Sequence, residues 1–438
     1  MSQKFKIFFW SLSAALGGFL FGFDTAVISG VEQTLETLWQ LNPFEQGLTV
    51  SIALIGTVFG SIIGGYPADK FGRKKTLLII AFLYFLSAIG TGLAIDWSFF
   101  LIFRFIGGIG VGISSIVAPL YISEISPATK RGRLVAIFHF NIVFGILMAY
   151  LSNYLLADVD VNAWRWMLGV QAFPSLIFII TTVLIPESPR WLILNKNEIE
   201  GARKIFKIID PSHTEEIISS ILNKKSTIRV NLFQRKYFQP IYLAVLFAFF
   251  NQMSGINAII YFAPRIFEMA GIGKESALLS SAGIGLINLL STLVGISIID
   301  KFGRRILMIV GSFGLVITLS LVSQSFFTGQ MVSIVPFYLF AYIAFFGFSQ
   351  GAVIWVFISE VFPMEVKAFG QALGSFTHWI MAAIITFSFP YWVENFGGGI
   401  IFLFFGFMMV LQFVFALKFM PETKGKSLEK IESIVINH

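Results

Sequence analysis

The chain has 438 residues, 56% of them hydrophobic and 13% charged, with 51 Phe, no Cys and a mean hydropathy of +0.82. That balance excludes a soluble domain of this size, a disulfide framework and thiol-ligated metal centres, leaving a polytopic membrane protein. A formal charge of +7 would suit a polyanion-binding surface, but the basic residues are distributed as membrane topology instead.

Allowing about 20 apolar residues per crossing, hydropathy predicts a dozen spans, near 7–30, 46–68, 76–95, 98–122, 133–156, 165–185, 238–264, 277–299, 306–326, 333–358, 368–391 and 399–419. The first follows Lys4 and Lys6 and runs past the length of a signal peptide, with no convincing cleavage site, so it reads as a retained span. Within it, LFGFDTAVISG (Leu20–Gly30) carries Asp24. An Asp at a helix centre costs roughly 2.5 to 3.5 kcal/mol to insert, which points to a substrate or proton path; the plainer reading is a structural hydrogen bond to a neighbouring helix. The fourth span holds Arg104 in RFIGGIGVG, whose glycines at 107, 108, 110 and 112 permit close helix approach, Gly108 and Gly112 having the spacing of a small-residue packing face. Pairing Asp24 with Arg104 relieves both insertion costs.

The seventh span concentrates Asn251, Gln252, Ser254, Asn257 and Tyr261. Asn257 and Tyr261 share a helix face, while Gln252 stands about 140° from Asn257 on an ideal helix unless the chain breaks near Ser254 and Gly255. Amides and aromatics are what a ligand rich in hydroxyls requires; polar residues bonding between packed helices would look the same in sequence.

The widest gap, Glu187 to Pro240, is polar, has helical stretches at 198–209 and 215–222, and divides the spans six and six. The same phrases recur on either side of it. DKFGRKK at 69–75 returns as DKFGRR at 300–305, YISEISP at 121–127 as FISEVFP at 357–363, and PES at 186–188 as PET at 421–423, so a unit of about 235 residues is duplicated. Twenty-seven of the 31 Lys and Arg fall in the tails and alternate loops, which assigns that face and both termini to the cytoplasm; Arg104, Arg165, Arg265 and Lys274 are the exceptions. The expected division is an N-terminal six-helix bundle (1–186), cytoplasmic linker helices (187–237), a C-terminal six-helix bundle (238–420) and a cytoplasmic tail (421–438). Asp69 lies where the next helix begins and suits its free amides, while Arg73 and Lys74 offer cations to Glu124 and Glu360. Positive-inside topology alone explains the cations but not the duplicated acids.

DKFGRK, PESPRWL (Pro186–Leu192) and PETKGKSLEK (Pro421–Lys430) together carry a resemblance: over about Phe8 to Glu429 the chain resembles the sugar porters of the major facilitator superfamily, bacterial xylose and proton symporters and animal facilitative glucose carriers among them. The resemblance implies an all-α membrane protein, twelve transmembrane helices in two pseudo-symmetric six-helix bundles with a cytoplasmic helical linker. It implies proton-coupled import of a pentose or hexose by alternating access, Asp24 exchanging between a proton and Arg104; facilitative carriers lack that carboxylate, so a uniporter is the alternative, and a non-transporting sugar sensor a further one. The tail after Met420 leaves little room for a signalling module. A proton moving down 100 mV releases about 2.3 kcal/mol, roughly fiftyfold accumulation of a neutral solute.

The resemblance also assigns sugar contacts to His139, Asn251, Gln252, Asn257, Tyr261, Asn288, Trp355, His378 and Trp379. A latch on the inner face falls to Asp69, Arg73, Glu124, Arg131, Glu187, Arg190, Asp300, Arg304, Glu360, Lys367 and Glu422. Several positions depart from the family. His139 stands for a Gln, Asn251 for the first of a Gln pair, His378 for an amide, Lys367 for an Arg, and Ala352 for the proline of a Gly-Pro kink, leaving Gly351 as the flexible point. His139 and His378 either bind the sugar or relay protons, and two histidines without a third ligand make a poor metal site. No cofactor, nucleic acid or enzymatic chemistry is expected, since neither a nucleophile with its base nor a ligand cluster stands out. The expected partners are a monosaccharide, a proton and the lipid of the cell's inner (plasma) membrane, and a monomer suffices.

Overall fold

The computed structural model of the chain describes residues 2–127, 129–223, 232–330, 332–363 and 365–425. Lys224, Lys225, Arg229, Lys426 and Lys430, counted above among the basic loops, lie outside them. All regular structure among the described residues is helical, as a chain in lipid requires when each backbone amide must find its partner within its own segment.

From the N-terminus, α1 (Gln3–Val27) passes through a 3-10 turn (Ile28–Gly30) into α2 (Glu32–Trp39). There follow α3 (Pro43–Ile63), α4 (Gly65–Phe71), α5 (Arg73–Gly92), α6 (Trp97–Glu124) and α7 (Arg131–Leu156). α8 (Ala163–Gly169) and α9 (Ala172–Leu184) make the sixth span, and the linker holds α10 (Pro189–Trp191), a π turn (Leu192–Lys196), α11 (Ile199–Ile209) and α12 (Thr214–Asn223). The seventh span is broken into α13 (Phe238–Met253), α14 (Ile256–Tyr261) and α15 (Ala263–Met269). After α16 (Lys274–Phe302) and α17 (Arg304–Thr328), the tenth span runs as α18 (Val335–Phe346), a π turn at Gly347–Gly351 and α19 (Ala352–Val361), and α20 (Lys367–Lys418) closes the order.

Eleven segments among the described residues are long and apolar enough to cross a membrane, the last spanning 50 residues. That one holds two crossings, because α20 is interrupted at Gly397, whose φ of 74° and ψ of 159° are not helical. The count is therefore the twelve that the sequence predicts.

The chain forms two compact units, Met1–Thr25 with Ile55–Ala149 and Val161–Ile228, and Ala26–Leu54 with Tyr150–Asp160 and Arg229–His438. In the first, missing side chains let helices touch through backbone. A Cβ on Gly22 of α1 would stand 1.8 Å from the Ile142 carbonyl of α7, and one on Gly145 of α7 would stand 2.1 Å from the Phe19 carbonyl of α1. The expected packing face at Gly108 and Gly112 is formed likewise, Gly56 of α3 lying against Gly108 and a Gly112 Cβ falling 2.3 Å from the Thr57 carbonyl. The linker helices bury Ala202, Phe206, Ile218 and Ile221 in the same apolar core as Tyr84 and Tyr121. The second unit centres on aromatics from α13, α19 and α20, including Phe247, Phe357 and Phe415.

The duplicated phrases fold into corners with matching backbone dihedrals and matching caps. Gly72 (φ 96°, ψ 164°) and Gly303 (φ 92°, ψ 162°) turn the chain into α5 and α17, in a region of backbone conformation essentially reserved for glycine. The exposed first amides of those helices are taken by distant carboxylates. Glu187 accepts from the Arg73 and Lys74 amides at 2.8 and 3.0 Å, and Glu422 from those of Arg304 and Arg305 at 3.0 Å each. A Cβ at Gly72 or Gly303 would stand 2.2 or 2.4 Å from its capping carboxylate, so both turns need glycine twice over.

Here the structure corrects the expectation for Asp69. Asp69 sits inside α4, before the Gly72 turn, and its carboxylate accepts from Arg73 Nη1 at 3.2 Å rather than capping α5; the cap belongs to Glu187. The glycine turn points the helix start away from the preceding segment and toward the chain that leaves the sixth span.

Candidate functional site

In the first unit, Asp24 of α1 and Arg104 of α6 meet in the protein interior. Arg104 Nη1 donates to Asp24 Oδ1 at 2.7 Å and Nη2 to the Asp24 backbone carbonyl at 3.2 Å, the two side chains being 1% and 3% exposed. Gly107 lets α6 approach Ser87 of α5 beside the pair, since a Cβ there would stand 2.4 Å from Ser87 Oγ, whereas Asp24 Oδ1 would be at an ordinary contact of 3.8 Å. Two charges withdrawn from water carry a desolvation cost that the mutual attraction offsets only with good geometry, and here Arg104 Nε has no hydrogen-bond partner. Gln171, at the junction of α8 and α9, lies beside the same carboxylate, and its buried amide nitrogen completes no hydrogen bond. An acid with an incompletely bonded guanidinium is suited to exchange that partner for a proton. His139 is half-buried on α7 of the same unit.

In the second unit, the break in the seventh span does what the sequence geometry demanded. Gly255 adopts φ 83° between α13 and α14, and Asn257 Nδ2 reaches Gln252 Oε1 at 2.6 Å. Gln252 Nε2 donates to Asn251 Oδ1 at 3.0 Å and lies 3.2 Å from each ring nitrogen of His378 on α20. Asn251 Nδ2, buried, has no partner of its own. Beside this row of amides the His378 ring centre is 4.9 Å from that of Trp355 on α19 and 4.7 Å from that of Trp379, the latter edge-on. Linked amides next to indole faces can bond hydroxyls and cover an apolar ring face. Asn288 and Tyr261 are buried on α16 and α14. The expected flexible point at Gly351 is the end of the π turn at Gly347–Gly351.

On the basic face, each unit assembles its own cluster. In the first, Arg73 forks onto Glu124 at 3.0 and 3.1 Å, with Asp69 and the Glu187 cap alongside. In the second, Arg304 forks onto Glu360 at 3.1 and 2.9 Å, with Asp300 at 2.9 Å and the Glu422 cap. Arg131 donates to the Ser123 carbonyl at 3.1 Å. No ion pair joins Arg131, Arg190 or Lys367 to a carboxylate among the described residues.

Sequence reasoning missed two further sets. The carbonyls freed by the broken seventh span are held by phenols, Tyr342 Oη donating to the Ser254 carbonyl at 2.9 Å and Tyr150 Oη to that of Ile260 at 2.7 Å; a tyrosine in an apolar span carries no signal that separates this role from packing. The other set is Glu32, Glu36, Gln46 and Arg265, which meet in the second unit. Its signal was Arg265, a cation away from the basic face.

The comparisons accord with this architecture. The family model described as Sugar (and other) transporter matches residues 10–435. The chain is 36% identical to the glucose transporter GlcP of Staphylococcus epidermidis, over 98% of this chain and 97% of that protein, and 34% identical to the D-xylose-proton symporter of Escherichia coli, over 98% and 95%. The solved inward-open structure of the E. coli xylose transporter XylE superimposes with a TM-score of 0.88 at 33% identity, covering 98% of this chain and 100% of that one. With a family match from end to end and relatives of this identity over nearly their whole lengths, the chain belongs to the sugar (and other) transporter family, membrane carriers of the major facilitator superfamily rather than enzymes.

Proposed function

We propose that the protein imports a pentose or hexose together with a proton by alternating access, Asp24 being the proton acceptor and Arg104 its switching partner. The observation that carries this reading is the buried Asp24–Arg104 contact at 2.7 Å, an acid and a base inside spans that otherwise exclude charge. Burial favours the neutral form of any acid and an adjacent guanidinium its ionised form, so a change in their separation loads or releases a proton. The names of the E. coli D-xylose-proton symporter and of the Bacillus subtilis arabinose-proton symporter support the same coupling and a pentose substrate.

On this reading the sugar lies against Asn251, Gln252, Asn257, Trp355, His378 and Trp379, with Tyr261 and Asn288 of the same unit completing its surroundings, while His139 on α7 of the first unit is a further candidate to bind the sugar or relay a proton. The Arg73 and Arg304 clusters are the gating elements on the cytoplasmic face. Both termini are cytoplasmic, and the bundles at 1–186 and 238–420 are the moving bodies, joined by the linker at 187–237.

Uptake of labelled xylose, arabinose and glucose into proteoliposomes, with and without an imposed pH gradient, tests the proposal. The intact carrier accumulates its sugar uphill only with the gradient, while Asp24→Asn still exchanges sugar at equal concentrations but accumulates none. Uphill accumulation by Asp24→Asn sinks the coupling role, and uptake indifferent to the gradient makes the protein a uniporter.

A further inference from the structure

Where α1 gives way to α2, the second unit contains a cluster of charge that the transport reading does not use. Glu32 and Glu36 come from α2, Gln46 from α3 and Arg265 from α15. Arg265 Nε donates to Glu32 Oε1 at 3.0 Å, and its Nη2 donates to Glu36. Gln46 Nε2 serves both acids, at 2.6 Å to Glu32 and 2.8 Å to Glu36. The neighbouring Glu45 is occupied elsewhere, in reciprocal bonds with Asn42 at the start of α3.

Two carboxylates thus share one guanidinium and one amide. Fully ionised, the cluster carries a net negative charge, and the Glu32 side chain is 0% exposed while that of Glu36 is 36% exposed. A single proton would neutralise the group. The titratable groups facing Glu32 are Glu36 from its own helix and Arg265 from α15.

We propose that Glu32 is a second proton-binding site of this carrier, and that a proton taken up there holds the contact of α2 and α3 with α15 closed. The geometry gives the reason: the contact seals Glu32 from water beside a like charge, so parting it returns the acid to solvent. Burial pushes the Glu32 carboxyl from 4.5 up to about 7, Glu36 adding to the rise and Arg265 and Gln46 opposing it. The closed contact therefore binds the proton more tightly than the parted one, and by linkage acidity favours closure. The closed-to-open ratio is flat above about pH 7, rises about tenfold per unit as pH falls below it, and levels off near pH 4.5 where the parted acid also protonates.

The chain has no Cys, so spin labels can be confined to Thr37→Cys and Lys274→Cys, positions that line one hollow between α2 and the start of α16. Pulsed electron resonance on the full-length protein in nanodiscs, with Asp24→Asn in place throughout, then reads the short-distance and long-distance populations from about pH 8 to about pH 5. The ratio of the short-distance to the long-distance population should grow at the stated slope, and Glu32→Gln should flatten it. A flat response in the parent, or an undiminished slope in Glu32→Gln, overturns the proposal. Because Asp24 is already neutral in every sample, either failure leaves the coupling role of Asp24 standing. Should Glu32→Gln not fold, Glu36→Gln provides the second reading: removing the like charge should move the midpoint to lower pH, and an unmoved midpoint overturns the proposal.

Discussion

Arg73 and Arg304 each spread one planar cation over a forked carboxylate, an acid one helical turn back and a backbone carbonyl. Lys can supply the charge but not the fork. Arg73→Lys should therefore lower stability by about 1 to 3 kcal/mol, and Arg73→Leu by about 3 to 5 kcal/mol, because Glu124 is then left buried and unpaired. Thermal unfolding in detergent checks the order; equal losses would mean the fork geometry contributes nothing. The pairing of Arg73 with Glu124 was legible because the repeat preserves both residues. The cap was not. Asp69 is four residues from Arg73 and looked like the local solution, whereas the group that bonds the amides of α5 comes from Glu187, 114 residues later, and sequence proximity carries no trace of it.

The seventh span is the element on which the amide row depends. Gly255 holds a left-handed conformation, and a Cβ there would stand 2.4 Å from the Phe405 ring. Gly255→Ala adds about 1 to 2 kcal/mol of backbone strain to that overlap and, by pulling α14 from α13, should weaken sugar binding more than tenfold in a tryptophan-fluorescence titration. Gly271→Ala is the control, strained by its φ of 78° but open around its Cβ; it should lower the melting temperature and leave affinity unchanged. The break itself was legible, since Gln252 and Asn257 cannot meet on a straight helix. The phenols of Tyr150 and Tyr342 that support it were not, because aromatic residues in apolar spans are equally at home in lipid and in core.

Duplication gives the whole molecule its own prediction. The turns at Gly72 and Gly303 have matching dihedrals and the same crowding by a capping carboxylate, so Gly72→Ala and Gly303→Ala should depress the melting temperature by similar amounts. A marked asymmetry would mean that only one corner supports the fold. Twelve spans were readable because hydropathy records the free energy of transfer to lipid. It does not record which neighbours a helix end will meet, so the grouping of 26–54 and 150–160 with the C-terminal segments lay beyond any periodicity.

The interruption at Gly397 has a further effect on how the protein is made. Without it, the 52 residues of α20 would form a rod of roughly 80 Å, against a hydrocarbon layer of about 30 Å. Any side chain at that joint, strained by its φ of 74° although nothing crowds it, would act first on the nascent chain, by disfavouring the turn back of the hairpin during insertion. The final crossing would then be stranded in water, and Glu422 would be delivered to the wrong leaflet, leaving the first amides of α17 without their distant partner.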